Sequence, residues 1–285
     1  MIRIFKIMVM ACVSAGLGIG IIYALWFGFT YLDKYVKNNV TVRERTTTLK
    51  LVDVPMWVNE PLQKQISTAA APRGVLKPDE NTARLVQKNL AQGTAWLTDA
   101  KVTTTHDSIQ IEGKWRKPLA LIKMGLSKWY VDSQMVVLDF VALPNLPIVR
   151  VEGLQLTTNT PQPGSVWQPE DLTAAIAILA QLERMDKIVT PDKPLLYEIA
   201  SIDVSNFKGR ENNRFPHIVL YAKDNTEIIW GAEIDNWQPY LESTDQQKLA
   251  KLYDYYTKHG TLLGPVKYIN LKDPQDNIPL PIDKY

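Results

Sequence analysis

The sequence predicts an α+β protein. A single N-terminal transmembrane helix leads to a strand-helix-helix-strand-strand unit, and a mostly antiparallel β domain with flanking helices follows. Three observations predict this. No charged residue stands between Lys6 and Asp33. From residue 48 to 117, helical and alternating apolar periods follow one another in the order of a small two-layer unit. Beyond Pro118 the apolar residues gather in short β-like runs separated by turn residues, with only two long helical periods among them.

The charge gap predicts a spanning helix over residues 7–32, after a short tail of residues 1–6. Spanning takes about 20 apolar residues, and the gap between Lys6 and Asp33 is longer. Tyr23, Trp26, Phe27, Phe29 and Tyr31 gather at one end, as an interfacial aromatic belt would. A cleaved signal peptide would have a shorter apolar core and a small-x-small cleavage site, and FGFTYLDKY offers none. Lipid is the expected surrounding of 7–32. Arg3 and Lys6 on one side, and Asp33, Lys34 and Lys37 on the other, leave the orientation open. Gly16 and Gly20 form a small-xxx-small pair suited to packing a second helix.

Residues 33–47 are polar and read as a spacer. Leu49 to Val54 alternate as a strand that Pro55 ends. Asn59 caps a helix running to about Ala70, with Pro61 in its first turn. Asp79 and Glu80 open a second helix with Ala83, Val86 and Leu90 on one face and Gly93 at its end. Ala100 to Thr104 and Ile109 to Ile111 alternate as two strands about a turn at His106-Asp107.

From 118 to 275 the runs LALIKM, KWYV, MVVLDF, YEIASIDVS, IVLYAK, TEIIWG and VKYINL predict strands. LPNLPIVRVEG and TNTPQPGSVWQP read as proline-rich breaks. Glu170 to Arg184 has helical spacing. Ser243 and Gln246 predict a capping box for a second helix ending near Gly260, with Leu249, Leu252, Tyr253 and Tyr256 on its inner face. Residues 276–285 are a polar tail.

The chemistry is sparse. A formal charge of +2 with interspersed signs carries no basic stripe for nucleic acid. The one cysteine, Cys12, lies in the apolar run, which excludes a disulfide framework or cysteine-based zinc site in the rest of the chain. The three histidines, His106, His217 and His259, fall in no metal or nucleophile spacing. Glu183 and Asp186, interleaved with Arg184 and Lys187, read as a solvated helix face rather than an acid/base pair. Trp96, Trp115, Trp129, Trp167, Trp230 and Trp237 are scattered and read as core or loop anchors. No catalytic residue, metal, cofactor or small-molecule substrate is expected. The strongest functional feature is VKYINL, which could accept a partner strand if it forms a sheet edge.

Three segments together resemble the FtsQ/DivIB bacterial cell-division proteins. The first is the strand-helix-helix-strand-strand unit, 48–117, which is similar to a POTRA module. At its end Trp96, Leu97, Ala100, Val102, Lys117, Pro118 and Ala120 match the family pattern. The second runs from Val131, Asp132 and Val136 through Leu143, Pro144, Leu146 and Pro147 to Gly153. The third comprises IIWG, KLAKLYDYY and KYINLKDP, where Asn270 and Lys272 stand in place of the family's usual Asp and Arg. The resemblance implies a non-catalytic membrane scaffold with its N-terminus cytoplasmic and its main domains periplasmic, concentrated at the division site. Its implied partners are FtsB/FtsL-type coiled-coil proteins and FtsW/FtsI-type septal synthases. Strand addition would place Lys267, Tyr268, Ile269, Asn270, Leu271 and Lys272 at the interface, with Tyr253 and Tyr256 contributing from the preceding helix. Val52, Asp53, Val54 and Trp57 would form a second contact on the POTRA-like surface. The alternative is an envelope module that binds peptidoglycan or assists outer-membrane protein assembly.

Overall fold

The computed structural model describes residues 23–32, 34, 48–72, 74, 79–105, 107–155, 161–264, 266 and 268–274. The chain divides into two units, Met1–Thr47 and Thr48–Tyr285. In the first, residues 23–32 form a helix, α1. No helix among the described residues is long and apolar enough to cross a membrane, which corrects the transmembrane element of the expected fold. Residues 7–22 of that segment, with Gly16 and Gly20, lie outside the described residues.

The second unit begins with β1 (Thr48–Leu51), α2 (Glu60–Ala70), α3 (Glu80–Gly93), β2 (Leu97–Thr104) and β3 (Ser108–Trp115). The helix starts obey their caps. Asn59 Oδ1 accepts the Leu62 N–H at 3.2 Å, and Asp79 Oδ1 accepts the Thr82 N–H at 2.6 Å. The strands pair in the order β1-β3-β2, with β1 parallel to β3 and β2 antiparallel to it. Leu62, Ile66, Val86, Leu90 and Ile111 fill the space between helices and sheet.

A sheet of eight strands follows: β4 (Pro118–Met124), β5 (Ser127–Asp132), β6 (Val137–Asp139), β7 (Val149–Glu152), β8 (Ile199–Asp203), β9 (Ile218–Ala222), β10 (Glu227–Gly231) and β11 (Tyr268–Asn270). Their spatial order is β11-β10-β9-β8-β7-β4-β5-β6. Among the described residues the sheet is mixed: four of its seven neighbouring pairs are antiparallel and three are parallel. β4 with β7, β7 with β8 and β10 with β11 are parallel pairs. Helix α4 (Glu170–Val189) connects β7 to β8, and α5 (Asp245–His259) connects β10 to β11. Parallel neighbours need such crossovers, because a tight turn can only reverse the chain.

β7 is the strand that its sequence concealed. Pro144 and Pro147 mark a break, yet Val149 and Val151 are buried while Arg150 and Glu152 are exposed, the period of a strand. Register lines up Ile122, Val151, Ile202, Leu220, Ile228 and Ile269 across six strands, all at 4% exposure or less. This row packs into one apolar core with Leu172, Leu179 and Leu182 of α4 and Leu252 of α5. At the other end of the sheet, Tyr130, Val136, Leu138 and Leu143 join the core of the small sheet, where the Trp96 and Tyr130 rings meet edge-on at 6.1 Å. Both sheets therefore belong to one packed unit.

Candidate protein-binding edge

The end of the large sheet is set by α5 and its cap. The capping box is Thr244 with Gln247, one residue later than the predicted Ser243 and Gln246. Thr244 Oγ1 accepts the Gln247 N–H at 3.2 Å, and Gln247 Oε1 accepts the Thr244 N–H at 2.9 Å. The Ser243 N–H is used differently: it donates to the Lys272 carbonyl at 2.7 Å and ties the end of β11 to the start of α5. Just upstream, Gly231 at φ +92 lies against the Glu242 carboxylate, where a Cβ would collide. That carboxylate accepts the Ala232 N–H and pairs with the fully buried Lys248 at 2.7 Å. Gly260 at φ +69 closes α5.

β11 then runs parallel to β10, with Tyr268 opposite Glu227, Ile269 opposite Ile228 and Asn270 opposite Ile229. The Leu271 N–H donates to the Ile229 carbonyl at 3.0 Å. Backbone groups alternate direction along a strand, so those of Tyr268 and Asn270 point away from β10. Among the described residues no further strand pairs there. Side chains alternate too. Ile269 and Leu271 are fully buried, while Tyr268, Asn270 and Lys272 are half-buried. The stretch is short. Asn270 Oδ1 accepts the Lys272 N–H at 3.1 Å, and its Nδ2 donates to Asp273, which turns the chain after Asn270.

The predicted contact residues therefore divide. Tyr268 and Asn270 present backbone at the open edge, and Lys272 lies just past it. Lys267 lies outside the described residues. Ile269 and Leu271 contribute to the core, not to a contact surface. Tyr253 and Tyr256 are corrected in the same way. The Tyr253 hydroxyl shares its single proton between the Leu182 carbonyl at 2.9 Å and Asp186 Oδ1 at 2.8 Å. The Tyr256 hydroxyl donates to the Lys193 carbonyl at 3.2 Å. Burial, followed by the nearby Asp186, pushes the Tyr253 phenol above its usual range. Burial, then Glu198 and Asp186, pushes Tyr256 up to about 12.

On the small sheet, the Val52 N–H extends β1 by donating to the Ile111 carbonyl at 2.9 Å. Val54 and Trp57 pack on that core, and Trp57 meets Trp115 edge-on at 6.3 Å. Of that quartet only Asp53, at φ +51, is exposed.

Elsewhere, Glu183 and Asp186 are not a solvated face. Asp186 is 3% exposed and accepts hydrogen bonds from the Thr190 and Tyr253 hydroxyls and from the Leu195 and Leu196 N–H groups. Glu183 pairs with Lys117 at 2.6 Å and Lys187 at 3.6 Å. Periodicity could not reveal this, because every donor but Lys187 comes from outside α4. His106 lies outside the described residues. His217 is buried, with Nδ1 lacking a partner and its ring against Tyr240. His259 sits in the last turn of α5, beside Tyr255. Trp96 and Trp230 are fully buried, as core anchors should be. Among the described residues no group of three His, Cys, Asp or Glu side chains could hold a metal ion.

No protein-family model matches the chain, and no curated protein matches it.

Proposed function

We propose that this protein is a non-catalytic scaffold of the bacterial cell-division machinery. It acts at the division site and recruits FtsB/FtsL-type and septal wall-synthesis partners by accepting a strand at β11. One observation carries the reading: β11 ends an eight-stranded sheet with the backbone groups of Tyr268 and Asn270 turned outward. Such an edge supplies main-chain hydrogen bonds to an added strand, and the flanking side chains select its sequence. The motif order described for the sequence supports the choice of partners.

The test uses proline as an edge block. Tyr268→Pro removes an outward N–H and leaves the β10 ladder, so folding is retained. Capture of an FtsB-type partner is expected to fall to background, and a fluorescent fusion is expected to lose its septal position. Ile269→Asp is the contrast: it puts a charge into the core, is expected to cost more than about 4 kcal/mol, and lowers the melting temperature. Undiminished capture by folded Tyr268→Pro protein would overturn the reading.

A further inference from the structure

The open edge of β11 has a fixed far end. The N–H and C=O groups of Tyr268 and Asn270 point away from β10, and by the same alternation Lys272 would carry the next outward pair. Both of its groups are already used. Its N–H donates to Asn270 Oδ1 at 3.1 Å, and its carbonyl accepts the Ser243 N–H at 2.7 Å. An added strand therefore finds free main chain at Tyr268 and Asn270 and meets the segment before α5 at Lys272.

That segment carries a residue that the fold alone does not account for. Leu241 lies in the left-handed region at φ +53, after the 3₁₀ turn Gln238–Tyr240, and it is 84% exposed. A bulky side chain is disfavoured at that φ, and an exposed leucine gains nothing from burial. Glycine or asparagine would suit the backbone better. The conformation is imposed by the turn. The Leu241 N–H donates to the Gln238 carbonyl at 3.1 Å, and the Glu242 N–H donates to the Trp237 carbonyl at 3.2 Å. The Glu242 carboxylate is held in turn by Lys248 and by the Ala232 N–H. The leucine is thus presented on a fixed turn, two residues before the Ser243 contact with Lys272.

Two aromatic side chains are exposed at the same end of the sheet. β9 starts and β10 ends there, with Ile218 opposite Gly231, and β11 runs parallel to β10. Exposed Tyr240 sets its ring against His217 at 4.5 Å, and Phe215, two residues before His217, is exposed as well. Single exposed leucines are ordinary on a protein surface. A leucine held at positive φ beside the end of an unpaired strand, with exposed aromatics on the same rim, is not.

We propose that Leu241 is an anchor point of the β11 site: it takes an apolar side chain that the partner segment carries just past the residues paired with Tyr268 and Asn270. The inference rests on strand addition at β11 and names what the partner must bring to it. That is a short extended stretch, flanked on the Lys272 side by an apolar or aromatic residue. Tyr240 and Phe215 widen the apolar contact. Main-chain pairing alone accepts almost any sequence, so this contact supplies selection.

The test is titration of a labelled FtsB-type partner with the whole chain, read by fluorescence anisotropy. Leu241→Asn suits the left-handed backbone and removes the apolar side chain. It is expected to weaken binding roughly tenfold without lowering the melting temperature, while Leu241→Met is expected to bind within about threefold of wild type. On the partner, apolar residues flanking the paired stretch are changed to Ala one at a time. One of them, on the Lys272 side, is expected to lose its effect when combined with Leu241→Asn, the coupling of two side chains in contact. Equal binding by Leu241→Asn, or additive effects at every partner position, would overturn the proposal. Tighter binding by Leu241→Asn would overturn it too, since residues 275–285 of this chain would then be the group that covers Leu241, in competition with the partner. Strand addition fails separately. Undiminished binding by folded Tyr268→Pro protein removes the β11 site itself, whereas loss in Tyr268→Pro with none in Leu241→Asn leaves the site and removes only the anchor.

Discussion

His217 shows how much a single residue's setting matters. Its ring is buried against Tyr240, and Nδ1 has no partner. Burial pushes its pKa below the ordinary value. The Glu242 and Glu233 carboxylates oppose that shift, and Lys272 and Lys248 add to it. The neutral ring is therefore the folded form. Below about pH 6.5 the unfolded chain takes up a proton that the folded one resists. Stability contributed by this group is present above that pH and is lost as pH falls toward the folded-state pKa. Thermal melts between pH 7 and 5 are expected to show a falling melting temperature, with a shallower slope in His217→Gln. An equal slope in the variant would assign the dependence to the carboxylates alone.

Elements were legible where local rules govern them. Asn59 and Asp79 start α2 and α3 as their types predict, since a cap satisfies its own helix. The α5 cap was misplaced by one residue because Ser243 and Thr244 both suit the role, and Ser243 is taken by Lys272. Removing the correct cap gives a clean check. Thr244→Ala is expected to destabilise the unit by about 1 kcal/mol in denaturant titration, with Ser243→Ala lacking that capping loss. β7 shows the opposite case. Four residues beside two prolines look like a loop until β4 and β8 bracket them.

At the scale of the whole molecule, the two sheets share apolar packing. Trp96 from the small sheet is fully buried against Tyr130 of the large one. Arg116, between β3 and β4, donates to Asp132 at 2.7 Å and to Gln134 at 2.9 Å, so the strand junction is held as well. The unit from Thr48 onward is expected to unfold in one transition. Trp96→Ala is expected to cost about 3–5 kcal/mol and to lower amide protection in β2 and β5 together. Loss confined to the small sheet would mean that the sheets are energetically independent.

The sequence by itself determined the α+β class, the order of helices and strands in the first half of this unit, and the identity of the apolar faces. These follow from periods of 3.6 and 2 and from capping chemistry, all properties of neighbouring residues. Tertiary structure alone decided that the large sheet is mixed, that β7 lies at its centre, and that β11 forms an edge. It also decided that Tyr253, Tyr256 and Asp186 face inward and that Lys117 meets Glu183. Each depends on which distant segment lies alongside, and local periodicity does not encode that pairing. For VKYINL the division falls within one strand. Its alternation predicted a strand, but only the β10 register showed that Ile269 belongs to the core and the backbone of Tyr268 to the open edge.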